Sequence, residues 1–431
     1  MTDPDPRVRH LWRPYTQMQT EAPPLAVVAT DGARLKLADG RWLIDGIASW
    51  WTACHGYNHP HMVAAMHRQL DAMPHVMFGG LTHEPALALG DRLTRILPGA
   101  GADGALNHVF FCESGSVSVE IALKMAIQYW RNRGARSRHR FVAFRHAYHG
   151  DTTGAMSVCD PEDGMHTLFA GAIPEQIMVD VPRDTAALEA FESLLAARRD
   201  EIAGVIIEPL VQAAGGMKFH DPETLAAIRN ACTRQDILFI ADEVATGFGR
   251  TGTMFACDAA EIVPDIICIG KALSGGAISL AATIASDRVY DAFLSDSDST
   301  AFMHGPTYMA NPLACAAANA SLDLFEDEER LKQAAGQEAY FRDALAPCQS
   351  MNGVTDVRAK GAIGVVQMNR PRDIRWLRQR FVEEGVWIRP FGDIVYLMPP
   401  LTITNEERAA LCDAVVTIMK EWSERASERG G

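Results

Sequence analysis

The pattern of apolar and polar positions changes character twice along the 431 residues. From 27 to 47, short apolar segments are punctuated by Asp31-Gly32 and Asp39-Gly40, a pattern that predicts short strands joined by tight turns. From about 60 onward, amphipathic stretches alternate with brief, continuously apolar runs: His108–Cys112, Arg140–Phe144, Val205–Ile207, Ile237–Ala241 and Ile266–Ile269. Each run is too short for a helix and gives way within a few residues to polar or glycine-containing sequence. Strands that are apolar on both faces and separated by helices predict a mostly parallel sheet covered on both sides. Beyond about 325 the spacing predicts a charged helix over Phe325–Ala346. Strand-like pieces at Ala362–Met368 and Ile394–Met398 then flank a further helix, and a last helix starts near Asn405. The expected architecture is α/β: a three-layer large domain over 61–324, and a small α+β domain made from both chain ends, 1–60 and 325–431.

In open α/β sheets, ligands bind beyond the carboxyl ends of the strands, so the chemistry is sought there. The run Ile237–Ala241 ends in Asp242-Glu243, and the next, Ile266–Ile269, ends in Gly270-Lys271. An acid and a lysine thus stand at the exits of consecutive strands. Pyridoxal phosphate (PLP) needs both: an amine to form a Schiff base, and a carboxylate to pair with the pyridinium nitrogen so that the ring can act as an electron sink. Alone, Asp242 reads as a turn cap and Lys271 as a solvated lysine; the pairing at matched positions points to the cofactor. A third exit leads through Glu113-Ser114-Gly115-Ser116 into a helix, Val117–Trp130. Such a turn offers free backbone N–H groups and the positive end of a helix dipole to a phosphate, with Ser116 adding a hydroxyl. Capping by Ser114 or Ser116 is compatible with that use. Past Phe144, Tyr148 is an aromatic able to stack on a flat ring, and Glu208 ends a fifth strand. A core tyrosine and a surface glutamate are the equally open alternatives for those two.

Two further patterns do not fit their usual meaning. Gly247 to Gly252 spells G-x-G-x-x-G, the dinucleotide fingerprint, but Asp242–Thr246 separates the strand from the first glycine and Pro264 leaves little room for a helix. A glycine-rich active-site loop is the better reading. His55, His59 and His61 lack the spacing of a metal-ligand set, and Asn58-His59-Pro60 reads as a turn; no metal is expected. Hydrophobic residues at 48% and charged residues at 22% give an ordinary globular balance. The net charge of −14 disfavours nucleic acid or an anionic membrane as the main partner, since both need clustered Lys and Arg. Nine cysteines, none in a C-x-x-C pair, fit reduced thiols of a cytoplasmic protein, and no apolar leader or spanning run is evident.

The stretch Asp242 to Gly252, followed by Pro264 to Leu273, resembles the signature of class III aminotransferases, PLP enzymes of fold type I. Trp12 to Thr16, Ser49-Trp50-Trp51, His55 to Pro60, His75 to Gly80, Phe302 to Met309 and Gly385 to Phe391 resemble one branch of that family. Its members act in biotin synthesis, with S-adenosyl-L-methionine as amino donor and 8-amino-7-oxononanoate as acceptor. The resemblance runs from about residue 10 to 400. It implies that Gly115 and Ser116 bind the PLP phosphate, that Tyr148 lies against the ring, that Asp242 pairs with the ring nitrogen, and that Lys271 carries the Schiff base; Glu208, by its strand exit alone, falls within reach of the same crevice. It implies a homodimer in which Pro306 and Thr307 reach the phosphate from the partner subunit. Tyr15, Trp50, Gly305 and Arg389 would contact the substrates.

The chemistry of those positions agrees with such substrates. Trp50 and Trp51 can wall an apolar trough, although adjacent tryptophans in an extended stretch point to opposite faces, so that Trp50 alone is expected to line it. Arg389 can grip a carboxylate with two hydrogen bonds, unless an internal Asp or Glu holds it instead. Another ω-aminotransferase of the family, a lysine-using one included, or an aminomutase would share these features. A nicotinamide dehydrogenase built on G-x-G-x-x-G is the rival of a different class.

Overall fold

A computed structural model of the chain describes residues 5–102, 104–162, 166–169, 171–369 and 374–428. Its centre is a seven-stranded sheet in the order Leu106–Cys112, Ala281–Ser286, Ile266–Ile269, Leu238–Asp242, Ile202–Ile207, Arg140–Phe144, Ile177–Val179. Neighbours run parallel throughout, except that Ala281–Ser286 is antiparallel to both of its partners. Two antiparallel steps restore the direction, so Leu106–Cys112 exits at the same edge as the other five parallel strands.

Residues along each strand alternate between two cores. Ile206, Leu238, Ile240, Ile266 and Cys268 pack under the helix Gly115–Asn132, with Ile121, Ala122, Met125, Ala126 and Tyr129. Val205, Ile207, Phe239, Ala241, Ile267 and Ile269 pack on the opposite side, with Leu225 and Ile228 of Pro222–Arg234 and Phe191 of Thr185–Ala197. The result is the expected three-layer α/β arrangement, with a mixed, mostly parallel sheet.

The chain ends meet away from this sheet. Val27–Asp31, Arg34–Leu37 and Trp42–Asp45 form an antiparallel set, and Val386–Trp387 joins it in parallel with Trp42–Asp45. A second antiparallel sheet of Val354–Lys360, Ile363–Met368 and Ile394–Leu397 packs with Phe341 and Leu345 of Arg330–Leu345 and with Leu411, Val415 and Ile418 of Asn405–Glu428. No helix among the described residues is long and apolar enough to cross a membrane.

Two readings of the sequence need correcting. The helix expected over Phe325–Ala346 is two helices, Pro312–Asp327 and Arg330–Leu345. The break places an extended Glu328 against the buried Arg330, whose Nη1 it meets at 2.7 Å while Arg330 Nε donates to His55 Nδ1 at 3.0 Å. The strand Ala281–Ser286 escaped notice because its residues are small. The helix beginning at Gly115 crosses it closely: Ser118 Oγ donates to the Ala282 carbonyl at 3.1 Å, and Thr283 Oγ1 to the Ser118 carbonyl at 2.7 Å.

Candidate active site

Asp242 closes its strand in register with Cys268, three residues before Lys271 on the neighbouring strand. Asp242 is buried. Its Oδ1 accepts from the Val244 N–H at 3.1 Å, and its Oδ2 lies 2.7 Å from Nδ1 of the equally buried His149, whose N–H donates. His149 Nε2 is enclosed without a hydrogen-bond partner among the described residues. Behind this pair, Glu208 accepts from the Tyr148 N–H at 3.0 Å and the Ala213 N–H at 2.9 Å; burial pushes its carboxyl up to about 7, against the pull of His149.

Lys271 follows at φ +47°, a strained left-handed conformation of the kind that concentrates at working sites. It forms no salt bridge or hydrogen bond among the described residues, and its Nζ sits 4.6 Å from the centre of the Trp51 ring. Burial pushes its pKa down, opposed by the charges of Asp242 and Glu208. A lowered pKa enlarges the fraction of free amine, the form that attacks a carbonyl.

The candidate phosphate site is the first turn of the helix Gly115–Asn132. Ser114 caps it, its hydroxyl accepting from the Val117 N–H at 3.4 Å, and the remaining first-turn N–H groups face the edge where Asp242 and Lys271 stand. A Cβ at Gly115 would come 2.7 Å from Val244 Cγ1, and one at Gly150 would come 2.2 Å from Ser116 Oγ. Ser116 Oγ accepts from the Asp151 N–H at 3.0 Å. The helix start, the loop after Asp242 and the loop carrying Tyr148 are thus locked together without room for larger residues at either glycine.

An aromatic and polar rim closes the cleft. Tyr15 donates to Asp151 Oδ2 at 2.6 Å and lies 3.1 Å from the Tyr148 hydroxyl; His166 Nε2 reaches Asp151 Oδ1 at 2.9 Å, and the Tyr148 ring stacks on His166. Tyr15 meets Trp50 edge to face, and the Arg389 guanidinium lies 5.8 Å over the Trp50 ring. Arg389 is half-buried and has no carboxylate partner among the described residues. Glu21, the acid nearest in effect, is bonded to Arg378 at 3.3 Å, and burial with the charges of Arg378 and Arg13 pushes the Arg389 pKa down. The alternative of an internal salt bridge to Arg389 therefore finds no support.

The tryptophan pair departs from expectation. Ala48, Ser49, Trp50 and Trp51 are not extended: their φ values of +46°, +48°, +55° and +75° make a left-handed turn of four consecutive non-glycine residues. Each such residue costs about 1–2 kcal/mol in isolation. The turn leaves Trp50 exposed beside Tyr15 and Arg389, and brings the buried Trp51 to Lys271, so both tryptophans border the cleft.

Sequence reasoning missed His149, Asp151, His166 and Arg250. Arg250, inside the glycine-rich loop, is fully buried; it donates to the Pro399 carbonyl at 2.6 Å and the Trp51 carbonyl at 3.0 Å, and burial lowers it to about 10. Gly305, Pro306 and Thr307 are not joined to this cleft by any hydrogen bond among the described residues. They lie in a largely exposed stretch held where Lys124 Nζ donates to His304 Nδ1 at 2.9 Å. His55, His59 and His61 go to different partners: Ser321 and Arg330, Glu328, and Asp323. All nine cysteines are buried and free.

Residues 15–419 match the family model for aminotransferase class-III. The chain belongs to the class-III aminotransferases. The adenosylmethionine-8-amino-7-oxononanoate aminotransferase of Corynebacterium glutamicum is 44% identical over 96% of this class-III aminotransferase and 97% of the relative. The enzyme of the same name from Mycobacterium leprae is 46% identical over 95% and 94%. A solved structure of that name from Methanocaldococcus jannaschii superposes with a TM-score of 0.91 at 33% identity, covering 96% of this chain and 98% of that one. An amine transaminase from an uncultivated Pseudomonas species, solved in its PLP-bound form, superposes with a TM-score of 0.87 at 31% identity, covering 95% and 98%. Pyridoxal phosphate is the cofactor of this class-III aminotransferase. Its residues fit that group: a lysine unpaired among the described residues and with a lowered pKa, a buried carboxylate at the exit of the adjacent strand on the same edge, and a glycine-cradled helix start for the phosphate.

Proposed function

We propose that this class-III aminotransferase moves the amino group of S-adenosyl-L-methionine to 8-amino-7-oxononanoate, giving the 7,8-diamine of biotin synthesis by a two-stage exchange. Arg389 carries the substrate reading. It is a half-buried guanidinium with no carboxylate of its own, over an exposed tryptophan, and the acceptor offers an aliphatic chain ending in a carboxylate. The names of the relatives agree.

In this reading Lys271 would hold the cofactor and, as a free amine, would move the proton at the donor carbon. Bound PLP supplies the electron sink for that proton transfer. Asp242 keeps the ring nitrogen protonated, with His149 orienting the carboxylate. Gly115 and Ser116 hold the phosphate, Tyr148 lies against the ring, and Glu208 fixes the backbone of Tyr148. Tyr15, Trp50, Trp51 and Gly305 border the substrates. The second copy of a homodimer delivers Pro306 and Thr307. In support, Met77, Met303 and Tyr308 are exposed, and the rings of His75 and Tyr308 meet at a tilt, centroids 4.6 Å apart, bringing their two segments side by side. We read 61–324 as the large domain, with 1–60 and 325–431 forming the small one; the pairing of Trp42–Asp45 with Val386–Trp387 supports this. The nine free thiols support a cytoplasmic location.

Product analysis tests the substrate reading. Cofactor-loaded enzyme given both compounds forms the 7,8-diamine, and substitution of another amine for S-adenosyl-L-methionine forms little. The Arg389→Ala variant is expected to bind the acceptor about 2–5 kcal/mol more weakly, the cost of leaving one member of a charge pair alone. Single-turnover rates against acceptor concentration measure this; unchanged saturation would remove Arg389 from the site.

A further inference from the structure

We infer that Asp45 is a positioning residue: with Tyr57 it clamps the left-handed turn Ala48–Trp51, and so sets both tryptophans that border the cleft. Asp45 is fully buried at the end of its strand and forms no salt bridge among the described residues. Among the described residues, every hydrogen bond that its carboxylate accepts comes from the turn or its brace. Oδ1 accepts from the Ile47 N–H at 2.9 Å, and Oδ2 from the Ser49 N–H at 2.9 Å and the Tyr57 hydroxyl at 2.6 Å. Tyr57 also hydrogen-bonds the Ser49 hydroxyl. A buried carboxylate without a cation is costly unless fully hydrogen-bonded, and an ordinary strand end does not call for one. A run of four non-glycine residues at positive φ does call for an outside constraint, since the isolated chain avoids it.

The far side of the turn is fixed independently. Arg250 donates to the Trp51 carbonyl, and Gly276 approaches so closely that a Cβ there would lie 2.8 Å from the Ala53 nitrogen. Gly276 belongs to the loop that begins at Lys271. The turn is therefore wedged between the Asp45 clamp and the lysine loop. If the clamp is released, the free end at Ser49 and Trp50 is the part able to relax, and with it the face that Trp50 presents to Arg389.

The inference rests on the proposed acceptor reading, and two measurements separate the two. Hydrogen exchange in the peptide spanning 46–54 needs no substrate: in Asp45→Asn its amides should exchange about tenfold faster or more, and unchanged exchange overturns the clamp. In steady state, Asp45→Asn should raise the acceptor KM about tenfold with kcat within about threefold, the signature of lost substrate binding without lost chemistry. Adding Ala48→Gly, which makes positive φ easy, should return KM to within about threefold of wild type. A purely structural aspartate would instead lower the melting temperature and the fraction of cofactor-loaded protein, leave KM unchanged, and show no rescue; that result overturns the proposal. Should Asp45→Asn not fold, Tyr57→Phe decides: faster exchange with a roughly threefold higher KM supports the clamp, and neither change refutes it. Wild-type enzyme that ignores the acceptor would sink the substrate reading, while the exchange result would still judge the clamp.

Discussion

Replacing Lys271 by alanine is expected to lower turnover at least about 10³-fold while leaving the fold intact. Two functions are lost together: the covalent anchor and the group that moves the proton, the latter alone worth about 10²–10⁴. The fold should survive because Lys271 makes no salt bridge or hydrogen bond among the described residues and its charge is disfavoured where it sits. The melting temperature of Lys271→Ala should therefore stay at or above that of the wild type, measured without added cofactor. Borohydride reduction locates the anchor. Wild-type protein should retain cofactor on the peptide containing Lys271, and the variant should retain none. Cofactor fixed to another lysine in either protein would overturn the assignment.

Asp242→Asn should lose about 10²–10³-fold in kcat, the usual size of losing one preorganised electrostatic partner. An amide cannot stabilise a protonated ring nitrogen as a carboxylate does. Little structural damage is expected. The amide oxygen can still accept from the Val244 N–H, and His149 can shift its proton to Nε2, which has no partner among the described residues. The variant should thus bind cofactor and melt normally while reacting slowly. Near-wild-type rates would reduce Asp242 to a cap on the following turn.

The parts of this site that could be read from the sequence are those that chain-local chemistry fixes. Asp242 and Lys271 each end a short, wholly apolar run, and parallel strands deliver such ends to one edge. Gly115 and Ser116 open a strongly patterned helix. His149 was beyond reach because its meaning depends on Asp242, which is distant in sequence, and nothing local separates it from His146. Arg250 was hidden inside a motif that invited a different explanation. The tryptophan turn was misread because its geometry contradicts local preference: an extended Trp-Trp pair is the default, and the clamp that overrides it comes from Asp45 on one side and Tyr57 on the other. The strand Ala281–Ser286 is built of small residues, so periodicity could not reveal it. For Gly305, Pro306 and Thr307, only the family resemblance suggests a role; their exposed stretch has no local feature that would mark one.

The central claim is that this enzyme takes its amino group from S-adenosyl-L-methionine and gives it to 8-amino-7-oxononanoate. Stoichiometric mixing tests it most directly, with the visible absorbance of the lysine-bound cofactor as the signal. S-adenosyl-L-methionine alone should bleach that absorbance, and later addition of 8-amino-7-oxononanoate should restore it with one diamine formed per site. Enzyme that keeps its absorbance with S-adenosyl-L-methionine but loses it with lysine, or that recovers without any acceptor, would contradict the account.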